Sequence, residues 1–162
     1  MRKLEYIAEY DVLKKLSAEV WLDFIVLKYD EGPPSPKEMF EDLREWMKRF
    51  ANTISINNAC SLVFFARVED SEEMPRHLHL LLGRKHILDR YVHQSNLKLW
   101  ANEEARAVFL SDTWEHGHAY IKPYDLTNGD GVGYICKKRG SSYEDCFFSS
   151  GLKKLLLAEE PT

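Results

Sequence analysis

Hydrophobic positions along the chain recur with two different periods. Between residues 35 and 50, Met39, Phe40, Leu43, Trp46, Met47 and Phe50 follow one another at three- and four-residue spacing, with Lys37, Glu41, Arg44 and Lys48 lying off that stripe. This is the pattern of an amphipathic helix. Pro33, Pro34 and Pro36 surround Ser35, and Glu38 stands three positions after it, so a Ser-x-x-Glu capping box marks the helix start. Residues 20–29 and 60–68 are rich in β-branched and aromatic side chains, and 77–82 is short and apolar; all three predict strands. The polar stretch 69–75 reads as a turn that makes the second and third strands an antiparallel pair. Residues 96–110 have helical composition, 118–122 alternate like a strand, and shorter helices are expected over 4–16, 133–138 and 152–157.

The order strand, helix, strand pair, helix, strand predicts an α+β fold, a central antiparallel β-sheet with flanking helices. The helices are expected mainly on one face, leaving the other for chemistry. A length of 162 residues without an internal repeat or linker predicts one domain over 1–162. The longest uncharged stretch, 53–66, contains Asn57, Asn58 and Ser61, and a membrane helix needs about 20 apolar residues. The first residues lack the apolar run of a secretory signal. Cys60, Cys136 and Cys146 form no C-x-x-C pair, which fits reduced thiols. The expectation is a cytoplasmic protein with no membrane partner.

Candidate chemistry concentrates in two places. On a strand, residues two apart share a face, so His77 and His79 project together while Leu78, Leu80 and Leu82 project oppositely. Two imidazoles amid leucines can chelate one cation. Glu69, Asp70, Glu72 and Glu73 lie just upstream; Glu69, at the end of the neighbouring strand, is the first choice for a third ligand, and a carboxylate there suits Mg²⁺ or Mn²⁺. The second place is Tyr134, followed by Lys137, Lys138 and Arg139. On a helix, Tyr134 and the two lysines share a face, and an ammonium beside a phenol favours phenolate and can hold a phosphate. A competing constellation is His116-Gly117-His118, which together with His77 and His79 would make a closed zinc site.

The His-Leu-His strand followed downstream by Tyr134-Ile135-Cys136-Lys137 resembles the HUH endonucleases over roughly residues 21–140. Lys138 stands where a second tyrosine would fall, so the resemblance is to single-tyrosine rolling-circle replication initiators. Pro75 and Arg76 stand where that family often has a basic residue and a glycine. The resemblance implies that His77, His79 and Glu69 hold Mg²⁺ or Mn²⁺, that Tyr134 is the nucleophile and that Lys137 assists it. Lys138, Arg139 and Arg76 are the expected DNA contacts. The implied activity is nicking and strand transfer on single-stranded or locally melted origin DNA through a 5′-phosphotyrosyl intermediate. A homodimer and a separate helicase and polymerase are the expected partners. Alternatives are a non-catalytic DNA-binding module of the same fold, a related transposase or relaxase, and the structural zinc domain.

Charge refines this picture. The chain has 22 Lys+Arg against 26 Asp+Glu, a net −4, which excludes a broad basic surface for wrapping duplex DNA. It is compatible with a small basic patch at Lys137, Lys138 and Arg139 that meets one strand.

Overall fold

The computed structural model describes residues 5–54, 62–70, 74–84, 102–125, 131–138 and 145–158. Five strands, β1 (Trp21–Tyr29), β2 (Phe64–Glu69), β3 (His77–Gly83), β4 (Gly117–Pro123) and β5 (Asp145–Phe148), form one antiparallel sheet in the order β4-β1-β3-β2-β5. Among the described residues, five α-helices flank it: α1 (Glu9–Leu13), α2 (Pro36–Thr53), α3 (Glu103–Thr113), α4 (Gly131–Cys136) and α5 (Ser150–Ala158). The expected α+β architecture is therefore present.

Strand register sorts the side chains into two faces. On one, Ile25 and Leu27 of β1, Leu78, Leu80 and Leu82 of β3, and Phe64, Ala66 and Val68 of β2 pack against Met39, Leu43, Trp46, Met47 and Phe50 of α2. The predicted capping box is formed: Ser35 Oγ accepts from the Glu38 N–H at 3.3 Å, and Glu38 Oε2 accepts from the Ser35 N–H at 3.4 Å. Tyr29 ties β1 to α2 by donating its hydroxyl to Asp42 at 2.9 Å; burial and that carboxylate push its phenol well above the usual range. On this side α3 is anchored by a buried ion pair, Arg106 Nη2 to Asp23 Oδ1 at 3.0 Å. Burial raises the Asp23 carboxyl from its usual range even with the guanidinium beside it.

The opposite face carries the second core, and here one expectation is corrected. Helices occupy both faces: Leu13 of α1, Val132 and Ile135 of α4, and Leu152 of α5 pack with Phe24, Phe65 and Leu81. The reason is the composition of the strands, since alternate positions on both sides are apolar, and an apolar face must be covered. The histidine-bearing face is thus partly covered and partly open. Other differences lie at element level. β5 was not foreseen, the helix expected over 4–16 is confined to Glu9–Leu13, and the helix expected over 96–110 is observed at Glu103–Thr113, with 96–101 outside the described residues. No helix among the described residues is long and apolar enough to cross a membrane.

Candidate metal centre and tyrosine

Register builds the site row by row. Glu69 of β2 pairs with His77 of β3, and one row along, Arg67 of β2 pairs with His79, which pairs in turn with Val26 of β1; Val26 pairs with Tyr120 of β4. The next row holds Phe24, Leu81 and Phe65, with Lys122 on β4. Because side chains alternate, all of these project from one face.

Glu69, His77 and His79 are all buried, at 6%, 4% and 5% exposure. Glu69 Oε2 lies 2.7 Å from His79 Nε2 and 3.9 Å from His77 Nε2, and the two imidazole Nε2 atoms are 3.1 Å apart. Neighbouring donors around an octahedral ion with bonds of 2.0–2.1 Å lie about 3 Å apart, and these three separations bracket that value. His77 Nδ1 sits 2.8 Å from the Pro75 carbonyl oxygen. A carbonyl only accepts, so the ring proton resides on Nδ1 and the Nε2 lone pair faces the cluster, the usual orienting device behind a metal-binding histidine. This group can hold a metal ion, and it is the group of three His, Cys, Asp or Glu ligands that converges among the described residues. The strand pair expected from sequence brings Glu69 beside the two histidines.

Tyr134 stands beside this cluster. Its ring centroid is 6.4 Å from that of His79 and 5.7 Å from that of Phe24, edge-on to both, and the residue is 53% exposed. Gly131 opens α4 where a Cβ would fall 2.4 Å from Tyr124 Cε2, and the Tyr124 hydroxyl oxygen accepts from the Val132 N–H at 3.2 Å. Only glycine lets the helix begin this close to that ring. α4 ends at Cys136, so Lys137 leaves the helix and bridges to Tyr6. The shared helical face expected for Tyr134, Lys137 and Lys138 is therefore not formed: the Lys138 N–H donates to the Glu5 carbonyl at 2.8 Å in place of the Tyr134 carbonyl that a continued helix would use, and the carbonyls at this end serve other partners. Arg67 Nη1 donates to the carbonyls of Ile135 at 2.6 Å and Lys137 at 2.9 Å, and the Ile7 N–H donates to that of Cys136 at 2.8 Å.

The basic residues divide. Lys138 is exposed. Arg76 is engaged, donating to Asp70 at 3.2 Å and to the Pro34 carbonyl at 2.8 Å, and Arg139 lies outside the described residues. His116 and His118 face Asp42 and Asp30, at 3.6 and 3.3 Å, and are not part of the converging group. Sequence reasoning missed Arg67 and an open groove of about 990 Å³ beside Tyr134, lined by Phe24, Val26, Tyr120 and Lys122 from the sheet and by Val108 and Ser111 from α3. Lys28 Nζ lies 5.4 Å from the Tyr120 ring centre and Lys122 Nζ 6.0 Å from that of Phe24. The alternation of Phe24 and Val26 with Ile25 and Leu27 signals which side of β1 they occupy, but the groove needs β4 and α3 in place. Protein-family models, curated proteins and solved structures were each compared with the chain, and none matches it.

Proposed function

We propose that this protein is a metal-dependent nickase and strand-transferase of the HUH type, acting on single-stranded or locally melted DNA as a replication initiator. The observation that carries the reading is the placement of a half-exposed tyrosine ring 6.4 Å from one imidazole of a buried Glu-His-His cluster. In this reading Glu69, His77 and His79 hold Mg²⁺ or Mn²⁺, which polarises the scissile phosphate and offsets charge developing on its oxygens. The Tyr134 oxygen attacks phosphorus. One O–P bond to the tyrosine forms, the bond from phosphorus to the 3′-oxygen breaks, the phenolic proton passes to solvent and the departing 3′-oxygen takes one proton from solvent. The product is a 5′-phosphotyrosyl protein with a free 3′-hydroxyl, and attack by another 3′-hydroxyl reverses the step and joins strands without outside energy. Lys137 steadies the phosphate.

The groove supports a single strand as substrate. Tyr120, 55% exposed, offers a face on which a base stacks, and Lys28 and Lys122 offer charge to the backbone, the combination used by proteins that bind unpaired nucleic acid. Strand separation and synthesis belong to a separate helicase and polymerase, and with one nucleophile per chain a second protomer completes a replication cycle.

The test is incubation with Mn²⁺ and a labelled single-stranded oligonucleotide library of randomised sequence, followed by denaturing electrophoresis. A denaturation-resistant protein–DNA adduct that disappears in Tyr134→Phe is expected. An adduct that persists in Tyr134→Phe would remove the nucleophile assignment. Retention of DNA without any adduct would favour the binding module.

A further inference from the structure

We infer that Arg67 is a positioning residue that fixes the ring of Tyr134 against the Glu69–His77–His79 cluster; the inference rests on the roles proposed above for those four residues. Arg67 is fully buried on β2, two positions before Glu69 on the same face, and it is the register partner of His79 on β3 and of Cys146 on β5. Its guanidinium is turned towards α4, where one nitrogen donates at 2.6 and 2.9 Å to the carbonyls of Ile135 and Lys137.

The need for such a tie follows from the helix itself. α4 has six residues, less than two turns, and a helix that short has no stability of its own in water. Its last carbonyls have no partner within the helix. The N-terminal segment takes part of this end, through the Ile7 N–H on the Cys136 carbonyl and the Lys138 N–H on the Glu5 carbonyl, each 2.8 Å. Arg67 takes the carbonyls on either side of Cys136 and links them to the sheet, on the row that carries His79. Ile135 directly follows Tyr134, so a bond to its carbonyl transmits the height of the strand to the tyrosine ring. Arginine suits the task and lysine does not replace it, since the planar fork remains charged when buried and loses less freedom on binding two acceptors than a flexible ammonium does. Hydrogen bonds from a charged donor are also the stronger kind.

Two readouts test this on the full chain. The first needs no metal: hydrogen exchange of the α4 amides is compared between wild type, Arg67→Met and Arg67→Lys, with β3 as internal reference. Loss of both bonds is expected to raise α4 exchange by about tenfold or more relative to β3, with Arg67→Lys between the two. The second uses Mn²⁺ alone and 3-fluorotyrosine placed at position 134. In wild type, bound Mn²⁺ is expected to relax the fluorine strongly; in Arg67→Met, Mn²⁺ affinity stays within about threefold, as for a residue that is not a ligand, while the relaxation weakens because the ring leaves its fixed distance. Should Arg67→Met fail to melt cooperatively, Arg67→Lys decides both readouts: intermediate values support the inference and wild-type values overturn it. Unchanged α4 exchange in a folded variant overturns it as well. If wild type binds no Mn²⁺, the metal reading falls while the exchange measurement still decides whether Arg67 holds the helix.

Discussion

Two side chains on one short stretch, Tyr134 and Lys137, bear different loads. Tyr134 contacts Phe24 and His79 through its ring and is open to solvent, whereas Lys137 is half-buried, outside the helix and paired in a bridge with Tyr6. If Lys137 steadies the phosphate, Lys137→Met slows adduct formation by about 10²-fold, in the range for a single positioned proton-transfer or charge-stabilising group, and leaves Mn²⁺ affinity unchanged. Single-turnover kinetics on the oligonucleotide that gives an adduct would measure it; an unaltered rate would assign Lys137 to structure. The histidines were legible from the sequence because the two-residue period of a strand sets their shared direction, and Glu69 because two strands separated by a short polar stretch pair antiparallel, as β2 and β3 do. Arg67 was not legible. It sits in the apolar run Phe64-Phe65-Ala66-Arg67-Val68, and the carbonyls it serves lie 68 and 70 residues away.

At the scale of elements, α2 could be read because its cap and its apolar stripe are both local. β5 could not: it has four residues, Asp145–Phe148, and sits at the sheet edge, where pairing with β2 rather than any periodicity makes it a strand. α1 fell short of its expected length because the residues before it spend their backbone groups on the end of α4, through the Tyr6–Lys137 bridge and the Ile7 N–H. The attachment of α3 rests on tertiary charge. Arg106 and Asp23 are both buried, at 0% and 1% exposure, so replacing Asp23 strands a guanidinium in the interior. Asp23→Asn is expected to lower stability by about 3–5 kcal/mol. Urea denaturation followed by circular dichroism would show this; a loss below about 1 kcal/mol, the scale of an exposed pair, would mean that the pair is solvated in solution.

Across the whole molecule, the sheet divides the labour. One face is closed by α2 and α3, and the other is partly closed by α1, α4 and α5 around an open groove. The net charge of −4 limits how DNA is held. Among the described residues, Lys28, Lys122, Lys137 and Lys138 are the cations assigned to the proposed path, and four phosphate contacts on a single strand give a log–log salt slope no steeper than about −3. Fluorescence anisotropy of a labelled single strand between low and moderate salt would test this, and a much steeper slope would require a larger basic surface than the described residues contain. All of it depends on an ion among Glu69, His77 and His79. Pulsed electron paramagnetic resonance of the protein titrated with Mn²⁺ examines that ion directly. The expected result is one tightly bound Mn²⁺ per chain with hyperfine coupling to two imidazole nitrogens, lost in His79→Ala and in His77→Ala. Bound Mn²⁺ without nitrogen coupling, or binding indifferent to both substitutions, would contradict it.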